Sequence, residues 1–329
     1  MPGLGHKSYI QFGPAESPYG TFRTPTQKLE IISWSVNPVV GTIPDGSLHS
    51  AVSRRALYQG GRLVKGTFLV RLNYEGLLEL LRASWGSGSS VVVETGVRDH
   101  TFVEASALGG YSFEVCMGDI PTSKVQRFVG CKVSGLTIRG TAGTGNDAML
   151  QAEFSIVGKT YTTDETPTAA LSFPALLPVL FHQAVTTDDG TTDTPADNRL
   201  RSFEVSLENP LAEDRFYLGS LDIDEPLRTD FLAARWRFTQ EFRTKTALDA
   251  AKAFTVGSPL LLFRHPTLIG AASYREFELS SGQANLIECS APVDGYGILI
   301  MTTVWEAFYY ATDLSALLCR VRNTEAALS

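Results

Sequence analysis

The sequence predicts a mainly antiparallel β protein with one short helix in each half. Three observations carry this expectation. The first is the stretch Gly66–Gly86, GTFLVRLNYEGLLELLRASWG. Phe68, Val70 and Leu72 alternate with Thr67, Leu69, Arg71 and Asn73, the period of a strand. The period then changes, and Leu77, Leu78, Leu80, Leu81 and Trp85 fall at helical spacing. Glu75 and Glu79 stand early, Arg82 stands late, and Gly86 is placed to stop the helix in a left-handed cap.

The second observation is that the same design recurs about half a chain later. Ala234–Phe242 alternates, with Trp236, Phe238 and Phe242 on one face and Arg235, Arg237 and Glu241 on the other. A short helix follows over Ala247, Leu248, Ala250, Ala251 and Phe254. Thr246 with Asp249 suggests a capping box, and Gly257 a stop. Upstream, WSVNP from Trp34 matches FEVSLENP from Phe203, so Asn37-Pro38 corresponds to Asn209-Pro210. An internal duplication is the reading.

The third observation is the remainder of the chain, short alternating runs separated by turn residues. Residues 1–26 form an N-terminal arm whose Tyr9, Phe12, Tyr19 and Phe22 suggest that it lies along something. The first unit is expected over 27–165. It opens with a strand over Leu29–Val36 and a solvated loop over Val39–Gly61 that carries Arg54 and Arg55, with Arg62 directly after it. Strands are expected at Val91–Glu94, His100–Glu104, Tyr111–Met117, Cys131–Arg139 and Met149–Val157. Tyr111–Met117 reads as half-buried, with Ser112, Glu114 and Cys116 on its polar side. Pro167, Pro174 and Pro178 exclude a regular element from 166–180, which is taken as a linker. The second unit, 181–329, continues with strands at Phe181–Thr186, Ser202–Glu208, Leu260–His265, Tyr274–Ser280, Ala284–Cys289 and Gly297–Val304. Leu314–Arg322 fits a helix or a closing strand, and the run ALLCRVR favours the strand.

Composition excludes several classes. The chain has 329 residues, 43% hydrophobic and 19% charged, and reads as globular rather than disordered. No apolar run is long enough to cross a bilayer, and MPGLGHKSYIQFG lacks a signal-peptide core, so cytosolic synthesis is expected. The formal net charge of -7 argues against a surface that grips phosphates. Cys116, Cys131, Cys289 and Cys319 are too widely spaced for a C-x-x-C site, and each reads as a small buried hydrophobe.

Motifs for chemistry fail on inspection. Gly158-Lys159-Thr160 ends like a phosphate loop, but Glu153 stands where the first glycine is needed, and YTTDETP cannot form the following helix. Gly140–Gly145 joins two strands rather than a strand and a helix. The five histidines are scattered. Asp188 with Asp189, and Asp222 with Asp224 and Glu225, lack the spacing of a calcium loop and read as solvated acidic loops. No catalytic residue, cofactor site or metal site is expected, and the protein reads as a non-enzyme.

An ordered series of segments resembles the major tail tube proteins of long-tailed, siphovirus-type bacteriophages. The segments are ESPYGT (Glu16–Thr21), KGTFLVRLNYEGLLELLRASWG, YSFEVCMGDI, RFVGCKVSGLTIRG with MLQAEFSIVGK, TDDG, and LRSFEVSLENPL. They span roughly residues 9 to 255. The resemblance implies two tandem β-sandwich or split-barrel, tail-tube-like domains, each with a flanking helix. It implies stacked rings, closed by sheets shared between subunits, around a channel for phage DNA that passes without sequence-specific binding. Single-domain relatives make six-fold rings, so a duplicated chain is expected to form a trimer with pseudo-six-fold symmetry. The implied partners are further copies of the chain, a tape measure protein, a tail terminator and tail-tip proteins, with no membrane. The place of action is the virion tail.

Strands facing a wet channel should keep one polar face. Glu114, Glu153, Glu204, Glu208, Arg235, Arg237 and Glu241 are the candidate lumen-facing residues, and a largely acidic lining is expected. Arg54, Arg55, Arg62, Asp188 and Asp189 are candidates for contacts between subunits or rings. The alternative is a β-sandwich carbohydrate- or receptor-binding virion module, for which Trp305, Phe308, Tyr309 and Tyr310 would be the aromatic cluster.

Overall fold

Alternation and turn chemistry set out most of the elements in a computed structural model that describes residues 7–46, 53, 56–116, 118, 124–168, 170–188, 199–242, 245–293 and 296–328. The first half contains β1 (Tyr9–Phe12), β2 (Gln27–Glu30), β3 (Ser33–Trp34), β4 (Asn37–Pro44), β5 (Leu57–Arg71) and α1 (Leu78–Trp85). It continues with β6 (Gly86–Glu94), β7 (Val97–Glu104), β8 (Tyr111–Cys116), β9 (Val125–Thr141), β10 (Gln151–Gly158) and β11 (Thr160–Glu165). The second half contains β12 (Ala184–Asp188), β13 (Leu200–Glu208), β14 (Ala233–Glu241), α2 (Thr246–Lys252), β15 (Val256–Gly257) and β16 (Leu260–Leu268). It ends with β17 (Tyr274–Ser280), β18 (Ala284–Ser290), β19 (Ile300–Ala307) and β20 (Leu318–Asn323).

The strands make two antiparallel sheets. The larger has 14 strands, and its main path runs β15-β18-β19-β14-β13-β9-β10-β5-β3. The smaller has six, in the order β12-β16-β17-β20-β7-β6. Both sheets cross from one half of the chain to the other, through β9–β13 in the first and β20–β7 in the second. One buried cluster draws on the inner faces of both, from Phe68, Phe154 and Trp236 to Phe102, Phe277 and Val321. Trp85 ties the layers together. It lies 6.5 Å from Phe102, and its indole Nε1 donates to the Leu317 carbonyl at 2.5 Å. Among the described residues this sandwich closes into no barrel within one chain.

The register of the large sheet has a repeating form. Directly opposed residues run Trp34–Phe68–Phe154–Leu136 in the first half. In the second half they run Val205–Trp236–Trp305–Leu286, over strands taken in the same order. The two rows join where β13 lies beside β9, with Leu207 opposite Leu136 and Val205 opposite Ile138.

α1 forms as its spacing predicts. Gly86 takes φ 92, and its N–H closes on the Arg82 carbonyl, so the left-handed cap ends the helix. Every residue of α1 but Arg82 is buried. α2 departs from expectation. Lys245 is its N-cap, with no side-chain cap bond, so Thr246 and Asp249 form no capping box. Its end is turned by Phe254 at φ 52, and Gly257 lies in β15. Only Ala247 of α2 is buried.

Three further differences have plain causes. Residues 37–44 are a strand rather than a loop, because β4 and β5 zip into a long hairpin through backbone bonds that side-chain pattern does not report. β8 is buried on both faces, because Glu16 of the arm and the segment around Thr168 meet Ser112 and Glu114 on its polar side. Phe181–Gln183 is a 3-10 turn leading into β12. Leu318–Asn323 is the closing strand that the run ALLCRVR favours.

The arm packs against the large sheet through β1. Glu16 anchors it, accepting from Gly20 N at 2.7 Å, Ser112 Oγ at 2.6 Å and Gly130 N at 2.8 Å. Tyr19 OH donates to the Gly130 carbonyl at 2.8 Å. The ESPYGT segment thus clamps β1 to β8 and β9.

Candidate functional site

Alternation places the apolar residues of the large sheet inward, so the remaining side chains make one continuous outer face. Opposed residues give its composition row by row. One row is Leu69, Glu153, Thr137, Ser206, Arg235, Glu306 and Asn285. The next is Arg71, Gln151, Arg139, Glu204, Arg237, Val304 and Glu288. Glu208 and Glu241 stand at the two ends of the β13–β14 pair.

Both charge signs share this face. Glu204 sits between Arg139 on one side and Arg237 on the other. Arg139 approaches Glu153 at 3.7 Å, Arg235 approaches Glu306 at 3.9 Å, and Arg201 meets Glu241 at 3.0 Å. Exposed pairs of this kind contribute at most about 1 kcal/mol each to stability. Their stronger effect is on the field. Arg139, Arg201, Arg235 and Arg237 each have a carboxylate beside or opposite them, so the face is mixed rather than largely acidic. No exposed aromatic ring stands in either row to stack a base. A polyanion passing this surface meets neither a cluster of uncompensated cations nor a stacking platform.

Glu153, Glu204, Glu208, Arg235, Arg237 and Glu241 therefore fall together on one sheet face. Glu114 lies apart. It is fully buried on β8, where Arg127 Nη2 donates to it at 2.9 Å and Thr168 N at 3.1 Å. Sequence parity marks Glu114 as polar-side but does not show what covers that side. Arg71, Arg139, Glu288 and Glu306 belong to the face and were not among the sequence candidates. Alternation with Val70, Ile138 and Trp305 is the signal that identifies Arg71, Arg139 and Glu306, whereas Glu288 has the parity of buried Leu286 and reaches this face through the bulge between them.

Of the candidates for contacts between copies, Arg54, Arg55 and Asp189 lie outside the described residues. Arg62 is on β5 and forms an ion pair with Asp222. Asp188 ends β12, opposite Leu260. The acidic trio does not converge. Asp222 faces Arg62, Asp224 faces Arg215 at 3.4 Å, and Glu225 faces Lys132 at 2.8 Å. Among the described residues no group of three or more metal-ligating side chains comes together. No described helix is long and apolar enough to cross a membrane. Trp305 is buried in the core, whereas Phe308, Tyr309 and Tyr310 are exposed; Phe308 and Tyr309 line a hollow with Arg228, Phe231 and Leu314.

The large sheet is open at both ends. Among the described residues no strand lies beyond β3 and β4 at one end. At the other, β15 covers only Ala284 and Asn285 of β18. Open edges of this kind invite pairing with another chain.

A two-layer β scaffold with a continuous polar face and two open sheet ends is that of a structural, self-assembling subunit. A family model described as phage tail tube protein matches residues 5–295, and the chain belongs to that family. No curated protein matches the chain. Membership gives it a structural role in the virion tail, as a tail tube protein that assembles with copies of itself and other tail components.

Proposed function

We propose that the chain is the major tail tube subunit of a siphovirus-type phage, assembling as stacked rings of three copies. On this reading the polar face of the large sheet lines the channel through which DNA leaves the capsid. The chain is a duplicated tube protein, with units 27–165 and 181–329 sharing both sheets across the linker 166–180. Three copies then supply six quasi-equivalent units to each ring. The tape measure, terminator and tail-tip proteins would meet the tube at its inner surface and two ends. Synthesis in the host cytoplasm precedes assembly, and the protein performs no catalysis.

The observation that carries the proposal is the pair of matching rows, Trp34–Phe68–Phe154–Leu136 and Val205–Trp236–Trp305–Leu286. Two four-strand blocks in the same order join head to tail, and a head-to-tail contact either closes into a ring or runs on as a filament. The mixed charge of the outer face suits a channel wall that lets DNA slide.

The test is negative-stain electron microscopy of the concentrated protein with light scattering on the same sample. Rings or tubes with a central channel and three chains per ring are expected. Six chains per ring would keep the tube and refute the duplication. A chain that stays monomeric at every concentration, alone and with tail-tip complexes added, would refute the proposal.

A further inference from the structure

We infer that the β18–β15–α2 end of one chain receives the Trp34–Pro44 edge and the β4–β5 hairpin of the next copy, in the register of the chain's own β13–β9 junction. This rests on the tube reading and specifies its subunit contact. The argument is that the chain already contains one example of the contact, fully made, and presents the two halves of a second example unmade.

The made contact lies between the halves. β13 pairs with β9, and the segment from Asn209 to Leu232 folds over the first half. Asn209 is buried there, its Nδ2 donating to the Ser84 carbonyl at the end of α1 at 2.9 Å and to Val133 O at 3.3 Å. The same segment places Glu213 on Lys65 at 2.7 Å and the Phe216 ring against Gly61. With this cover in place, α1 is buried on nearly every side.

The unmade contact uses the corresponding parts. The segment that corresponds to Asn209–Leu232 is the β4–β5 hairpin, and the residue that corresponds to Asn209 is Asn37. Asn37 is exposed, and among the described residues its side chain donates to Ser35 O at 3.0 Å, two positions earlier in the chain. α2, which corresponds to α1, is mostly uncovered. Apolar side chains stand exposed on both surfaces: Val39, Val40 and Ile43 on the hairpin, and Phe254, Val256 and Ile287 beside β18. Patches like these are unusual on a monomer and mark an interaction surface. The occupant is a second copy, because only it carries the matching edge in the matching order.

The register follows from the rows. Within the chain Ser206 opposes Thr137 and Val205 opposes Ile138. Carried across equal positions, with the irregularity between Leu286 and Glu288 included, Ser35 of one copy opposes Glu288 of the next, and Trp34 opposes Cys289.

Disulfide trapping tests this in assembled tubes. Ser35 and Glu288 are both exposed, and opposed residues of an antiparallel pair lie within the reach of a disulfide. The double variant Ser35→Cys with Glu288→Cys, in a Cys289→Ser background, should cross-link on mild oxidation into a ladder ending at the ring. Neither single variant should do so. A second variant guards against misfolding by the first. Asn37→Ala should raise the concentration needed for assembly about tenfold while leaving unfolding of the monomer unchanged. Tubes that form normally from the double variant without cross-linking, or from Asn37→Ala at the wild-type concentration, would overturn the inference while keeping the tube. Wild-type protein that never forms rings would overturn the tube reading, and this contact with it.

Discussion

The carboxyl group of Glu325 should make the chain less stable as pH rises through neutrality. The segment after β20 runs over the start of α1, where Glu325 accepts from the backbone N–H of Gly76. Burial, with Glu75 and Glu79 nearby, pushes its pKa from 4.5 up to about 7, and the Gly76 bond opposes the rise. A folded-state pKa above the unfolded one means that the folded chain holds the proton more tightly. The stabilisation is therefore full below about pH 4.5 and lost as pH rises through about 7. A rise of this size is on the order of 3 kcal/mol at its ceiling. Undocking of the terminal segment limits the loss, so about 1–2 kcal/mol is expected. Glu325→Gln keeps an acceptor for Gly76 and removes the charge. Urea unfolding of both proteins at pH 5 and pH 8 measures the effect, and the difference between them cancels groups they share, such as His100, whose pKa burial lowers. The variant should gain about 1–2 kcal/mol over wild type at pH 8 and little at pH 5. An equal change at both values, or a loss at pH 8, would refute the reasoning.

Three other perturbations follow from the packing. Trp305 is fully buried, and its Nε1 has no hydrogen-bond partner among the described residues, so Trp305→Phe should cost under about 1.5 kcal/mol while Trp305→Ala costs about 3–5. Chemical denaturation would separate the two, and similar losses would contradict the packing account. Asn209→Ala should destabilise the chain by about 2–3 kcal/mol, because Arg228 Nη2, which donates to Asn209 Oδ1 at 2.6 Å, loses its partner inside the junction. Calorimetry checks this, and an unchanged melting temperature would refute it. Glu16→Ala should leave the Gly130 N–H without its acceptor and release the arm, seen as early proteolysis between β1 and β2 at a cost of about 1–3 kcal/mol. Protection equal to wild type would contradict the clamp.

Much of the fold was legible because period and burial agree. The switch from Phe68–Val70–Leu72 to Leu77–Leu81 and the cap at Gly86 locate the end of β5 and α1 to within a residue or two, whereas the start of β5 at Leu57 falls in the stretch read as a loop. Alternation in β10, β13 and β14 likewise brings six of the seven lumen candidates to one face. What alternation misses is what covers a strand. Glu114 shares the polar parity of its strand and is nonetheless buried, because a carboxylate paired with Arg127 can go where an unpaired one cannot. The β4–β5 hairpin escaped for the opposite reason. The residues of β4 keep no apolar side inside the chain, and their pairing with β5 is made by backbone groups. Sequence also gave no hint that β20 pairs with β7, since the partners stand far apart in the chain.

Cryo-electron microscopy of assembled tubes tests the central claim most directly. The expected map has three chains per ring and a channel walled by the large sheet, with Glu153, Glu204, Arg235 and Arg237 facing the lumen. A channel walled by the six-stranded sheet, or a map with those four side chains on the outer surface, would contradict it.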